Sequence, residues 1–254
     1  MTQTIALAGK GGVGKTTISG MLIEYLAAKK NGPVLAVDAD ANSNLNEVLG
    51  LPVYTTLGDI REEMEAEGSK STIPAGMTKA EYADAKFADA LSEGDDYDLL
   101  VMGRTQGKGC YCFVNGILTT QLQRYAGTYR YIVVDNEAGM EHLSRGILPS
   151  VDTVILVSDA SRRGVQACAR IHELVKDLKL GAKQVKLLVN RAPGGKVNDG
   201  VMEEINKSGM ELLGILPQND DITEYDGEGK PTTTLPADNE FRKALYAALD
   251  QLEF

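Results

Sequence analysis

The stretch "GKGGVGKT", residues 9–16, constrains this chain more than any other. It fits the G-x-x-x-x-G-K-[ST] pattern, and its flanks are as informative as its letters. An apolar run, "TIALAG" (4–9), precedes it, and "KTTISGMLIEYLAAKK" (15–30) follows with apolar residues at helical spacing and lysines at its end. Strand, glycine-rich turn and helix in that order form a phosphate cradle. Gly9, Gly11, Gly12 and Gly14 let backbone N–H groups turn inward, Val13 sits among them, and the helix N-terminus adds positive potential. In such a loop Lys15 reaches the β- and γ-phosphates, the Thr16 hydroxyl ligates Mg²⁺, and Thr17 adds a donor near the α-phosphate.

The rest of the chain repeats the alternation. Further runs at 34–40, 98–103, 131–136, 153–159, 185–190 and 212–217 are apolar nearly throughout, as strands covered on both faces are. Helical patterns at 164–180 and 238–254 lie between or after them. Residues 52–96 read as helices with an acidic surface loop, and 226–238 as a loop. Seven strands separated by helices imply an α/β fold, a doubly wound, mostly parallel sheet flanked by helices, with 1–254 as a single P-loop domain.

A formal net charge of -10 argues against a general affinity for nucleic acid or anionic lipid. No apolar run reaches membrane-spanning length and no leader pattern opens the chain, so a cytoplasmic location is expected. Three cysteines make no disulfide framework. Cys168 lies in a helical pattern and reads as a small buried apolar residue. Cys110 and Cys112 are different, one residue apart in "GKGCYCFVN" (107–115). In an extended segment both sulfurs point to the same side; on a helix they would be about 200° apart. They can be buried thiols, a strained redox pair, or metal ligands. As ligands they supply two thiolates where a soft metal wants four, and a two-fold axis would double them.

Lys10 is not required by a general phosphate loop. Near the loop's start it is poorly placed to reach its own nucleotide, but it could act across a dimer interface. With that lysine, "KGGVGKT" resembles the deviant Walker A signature of the MinD/ParA/nitrogenase-iron-protein class of dimerising ATPases. The resemblance implies a switch I in "VLAVDAD" (34–40), where Asp38 or Asp40, with Asp38 favoured, orients the attacking water and the other lies near Mg²⁺. It implies a Walker B aspartate at Asp135, a γ-phosphate-sensing glycine at Gly139, adenine contacts at Asn190 and Arg191, and a later adenine-side loop in "ILPQND" (215–220). ATP or ADP as the nucleotide also follows from the resemblance.

Within that class, "DLLVMGRTQGKGCYCFVN" (98–115) with "VVDNEAGMEHLSRG" (133–146) resembles the CooC/AcsF type, ATPases that help insert nickel into carbon monoxide dehydrogenase or acetyl-CoA synthase. This implies a homodimer holding nickel or zinc between Cys110 and Cys112 of each chain, and one of those enzymes as client. His142 is left outside the metal site. Two alternatives belong to the same class. A MinD/ParA-like spatial switch calls for a basic amphipathic C-terminal helix or a basic patch, whereas "FRKALYAALDQLEF" (241–254) carries little positive charge and ends acidic. An iron–sulfur electron-transfer ATPase calls for a second cysteine near residues 133–146, and there is none.

Overall fold

The structure, a computed structural model, describes residues 2–28, 32–67, 74, 76–104, 119–120, 122–125, 127–137, 150–177 and 181–254. Its frame is a sheet of eight strands: β1 (Gln3–Gly9), β2 (Val34–Ala39), β3 (Leu91–Ser92), β4 (Tyr97–Val101), β5 (Tyr131–Asn136), β6 (Thr153–Asp159), β7 (Gln184–Ala192) and β8 (Glu211–Pro217). They lie in the order β3-β4-β2-β5-β1-β6-β7-β8, every pairing parallel except β3 with β4. The expected doubly wound, mostly parallel sheet is therefore present. The addition is β3, a two-residue antiparallel edge strand, too short to carry a period of its own.

The helices are α1 (Lys15–Ala28), α2 (Leu45–Leu49), α3 (Leu57–Glu67), α4 (Lys79–Ala88), α5 (Arg162–Asp177), α6 (Asp199–Ser208), α7 (Asp220–Glu228) and α8 (Glu240–Leu249). Two differ from the sequence reading. The helix α7 takes the first residues of the stretch read as a loop, because Asn219 caps its start, accepting from the Ile222 N–H at 3.3 Å, and Gly229 closes it in a left-handed conformation. The last helix is shorter than its apolar pattern and ends at Leu249.

The strands are apolar on both faces because both are covered. On one face Ala6, Leu35, Ile132 and Leu156 pack with Val165 and Cys168 of α5 and Val201 of α6. On the other, Ile5, Ala36, Val133 and Ile155 pack with Ile18, Met21 and Leu22 of α1 and Phe241 and Leu245 of α8. The helix α1 is buried on nearly every side, and Arg242 of α8 holds it with a 2.9 Å ion pair to Glu24.

Parallel pairing brings the carboxyl ends of the strands to one edge. Register fixes the neighbours there: Leu7 and Asp38 each stand opposite Asp135, Gly9 opposite Val157, and Asp159 opposite Asn190. A doubly wound sheet binds its ligands at this edge.

Candidate functional site

The phosphate loop leaves β1 at Gly9 and enters α1 at Lys15. Close approach explains its glycines at two points. A Cβ on Gly9 would lie 2.2 Å from the Val157 carbonyl oxygen of the adjoining strand. Gly14 has φ +93°, and a Cβ there would lie 2.5 Å from Nδ2 of Asn190.

Lys15 is buried, and its Nζ donates to the Lys10 carbonyl at 3.3 Å, across its own loop. Burial lowers the pKa of Lys15, while Asp135 and Asp40 oppose that shift. Asp135 is buried at the end of β5. It accepts hydrogen bonds from the hydroxyls of Thr16 and Ser19, the latter at 2.9 Å, and burial pushes its carboxyl up to about 6. The hydroxyl of Thr16 and the carboxylate of Asp135 are hard oxygen donors side by side, a set that fits Mg²⁺. Ser19 was not among the expected site residues. The available signal was a hydroxyl in an apolar helix one turn beyond Lys15.

The aspartates of 34–40 are separated by the structure. Asp38 is fully buried, and both its oxygens are engaged: Oδ1 accepts from the Asp40 N–H and Oδ2 from the Leu45 N–H, each at 3.0 Å. Burial, reinforced by the charge of Asp135, pushes its carboxyl up to about 7 against those hydrogen bonds. Asp40 instead lines the cleft above the phosphate loop. The preference for Asp38 as the water-facing group thus finds no support in the geometry; its carboxylate organises the loop, and Asp40 is the one exposed to the cleft.

Asn190 and Arg191 sit where the β7–β8 register shifts, with Arg191 in a left-handed conformation, φ 56°. This irregularity turns both side chains back over the phosphate loop. Nδ2 of Asn190 donates to the Val13 carbonyl, and the Arg191 guanidinium to the Gly12 carbonyl, each at 2.8 Å. Both residues line the cleft, but the partners seen are the phosphate loop itself. Beyond them Pro217, Gln218 and Asn219 form the far wall, so the "ILPQND" stretch does reach the cleft. The cleft has a volume of about 950 Å³ and opens along the sheet edge from Gly11, Gly12 and Thr17 to Ile222 and Asp226.

The backbone of Lys10 belongs to the loop, and its side chain is exposed. Cys168 is buried in α5, its Sγ donating to the Val157 carbonyl at 3.3 Å, and burial pushes the thiol up to about 12, as suits a packing residue. Cys110, Cys112, Gly139 and His142 lie outside the described residues. Among the described residues no group of three or more His, Cys, Asp or Glu side chains could hold a metal ion, and no helix is long and apolar enough to cross a membrane.

A parallel sheet whose first strand runs through a glycine-rich loop into a buried helix, with a lysine, a hydroxyl and a strand-end aspartate converging there, defines a P-loop nucleotide-binding protein. The chain belongs to the CobQ/CobB/MinD/ParA nucleotide binding domain family, which it matches over residues 4–232. It is 44% identical to an uncharacterized ATP-binding protein of Methanocaldococcus jannaschii, over 98% of this chain and 97% of that one. It is 31% identical to the carbon monoxide dehydrogenase accessory protein CooC of Rhodospirillum rubrum, over 96% of this chain and 95% of that one. Among solved structures, the septum site-determining protein MinD of Pyrococcus horikoshii, complexed with Mg-ADP, superposes with a TM-score of 0.73 at 22% identity, covering 99% of this chain and 96% of that one. At that identity the likeness speaks for the fold.

Proposed function

We propose that this protein is an ATP-hydrolysing, dimerising metallochaperone that assists nickel insertion into carbon monoxide dehydrogenase or acetyl-CoA synthase. The observation that carries the reading is the near full-length likeness to CooC, together with the paired Cys110 and Cys112. Those thiols, two from each protomer, hold the cargo ion, nickel or zinc, between the subunits.

The residues act as follows. Lys15 exchanges its bond to the Lys10 carbonyl for the β- and γ-phosphates of ATP. Thr16 and Asp135 would hold Mg²⁺, which would supply charge neutralisation at the phosphates when bound. Asp40 orients the attacking water, while Asp38 keeps the loop that carries Asp40 folded. Lys10 of the partner subunit supplies a second cation to the γ-phosphate, as arginine fingers do in trans. Gly11, Gly12, Val13, Gly14 and Thr17 cradle the phosphates. Asn190 and Arg191 hold the adenine end while bracing the loop, and Gly139 senses the γ-phosphate. Catalysis is positioning and charge stabilisation, and hydrolysis resets the subunit interface that shapes the thiolate set.

The direct test is titration of the purified protein with nickel or zinc, with and without ATP, following ATP turnover and mass together. The expected result is one ion per two chains and a nucleotide-dependent affinity. A chain that hydrolyses ATP yet binds neither metal would remove the metallochaperone reading and leave a nucleotide switch.

A further inference from the structure

The helix α7 stands along the outer half of the cleft, which Ile222, Thr223 and Asp226 line. It is thinly packed: Ile222 and Tyr225 are only partly buried against the core that α1 and α8 share. A helix of nine residues takes its stability and its place from tertiary contacts. At its start the Gln218 N–H donates to the Ala192 carbonyl of β7 at 2.9 Å, and Asn219 caps the first turn.

The start of α8 reaches that cap. Asn239, 8% exposed, caps α8, its Oδ1 accepting from the Arg242 N–H at 3.1 Å. Its Nδ2 donates twice toward α7, to Oδ1 of Asn219 at 3.3 Å and to Oδ2 of Asp221 at 2.7 Å. The shorter bond ends on a carboxylate, the stronger kind of acceptor. One buried amide therefore joins the caps of two helices, with both its donor hydrogens in use. Of the two helices α8 is the fixed one. Phe241 and Leu245 are buried, and Arg242 is paired with Glu24 of α1, the helix that begins at the phosphate loop. Through α1 and α8, Asn239 sets α7 at a defined distance from that loop.

We infer that Asn239 is a positioning residue that, through Asn219 and Asp221, sets the half of the cleft that receives the base and ribose. The inference rests on the ATP-binding reading above. With the phosphates at the loop before α1, the nucleoside extends along the rest of the cleft, toward Pro217, Gln218, Asn219 and Ile222. That wall combines apolar side chains with amides, which suits a flat heterocycle with polar edges. Asn239 acts from behind it. Without the amide, the Asn219 oxygen keeps only the Ile222 N–H, Asp221 loses its short bond, and α7 is free to move away from the nucleoside. The phosphate loop, held from the other side by Asn190 and Arg191, is left as it was.

The test uses the full chain with two probes, Mg-ADP and Mg-pyrophosphate, the second lacking base and ribose. Calorimetric titration of the wild type should show ADP bound more tightly by on the order of a hundredfold. Asn239→Asp keeps the acceptor that caps α8 but sets a carboxylate against Asp221. It should lose about tenfold in ADP affinity, with pyrophosphate affinity within about twofold of the wild type, the scatter of independent sites. Adding Asp221→Asn returns a donor to the pair with its direction reversed, and should recover most of the loss. Asn239→Ala should show the same selective loss in a less stable protein, since the cap of α8 goes with it. Unchanged ADP affinity in Asn239→Asp, equal losses for the two probes, or no recovery in the double variant would overturn the inference. A wild-type chain that binds ADP no more tightly than pyrophosphate would instead overturn the reading that the nucleoside lies in this cleft, and the inference with it.

Discussion

The amide of Asn190 donates to the Val13 carbonyl at 2.8 Å, so a residue at the end of β7 holds a loop 177 positions earlier in the chain. The contact is buried, and Asn190→Ala leaves the carbonyl without that donor. We expect a loss of about 1–3 kcal/mol in stability and about tenfold in nucleotide affinity. Gly14→Ala should weaken the same contact, because the added methyl meets Nδ2. Thermal unfolding and calorimetric titration with ADP check both; wild-type affinity in the two variants would show that the brace is dispensable.

Lys15→Ala should reduce ATP turnover by at least about a hundredfold, since the cation that stabilises charge on the transferring phosphoryl group is removed. Lys10→Ala should bind nucleotide and hydrolyse it poorly. Mixing the two variants should restore turnover at one of the two sites of a mixed dimer. If Lys10→Ala loses nucleotide affinity altogether, that lysine serves its own subunit.

Nickel or zinc should shift the chain toward dimer at about one ion per two chains, because binding to the dimer alone stabilises it by mass action. Cys110→Ser and Cys112→Ser should each abolish the shift. Cys168→Ser should not, its sulfur being buried against Val157. Sedimentation of the three variants with metal decides the matter: equal dimerisation in all of them would exclude the paired thiols as ligands.

The Asp38 carboxyl, raised to about 7, stands above the roughly 3.9 of an unfolded aspartate. Between those values the native state holds a proton that the unfolded state has released. Its stabilising contribution is complete below about pH 4 and is lost as the pH rises through about 7. Asp135, raised to about 6, acts in the same direction. The melting temperature of the nucleotide-free protein should therefore fall from about pH 5 to about pH 8, and less steeply in Asp38→Asn. Parallel curves for the two proteins would show that Asp38 does not titrate in this range.

What was legible in the sequence was local or strand-bound. The phosphate loop is eight consecutive residues, and Asp135 ends an apolar run. The choice between Asp38 and Asp40 was not legible by alternation, since residues two apart share a parity. They part because β2 stops at Ala39, leaving Asp38 inside the sheet and Asp40 beyond it. Ser19 and Asn239 depend on contacts between separate elements, and no spacing announces them. The strand β3 has two residues, a single alternation that cannot repeat, and its pairing with β4 supplies what its sequence lacks.

Cys168 gives the core a chemical clock. Its thiol lies with no exposed surface beneath the strand that backs Gly9. In a Cys110→Ser, Cys112→Ser background it would be the single thiol left in the chain. An alkylating reagent can reach it only when α5 lifts from the sheet, so the labelling rate measures that opening event rather than reactivity at the surface. Pulse labelling with and without ATP would then report how far an occupied cleft slows the breathing of the opposite face of the sheet.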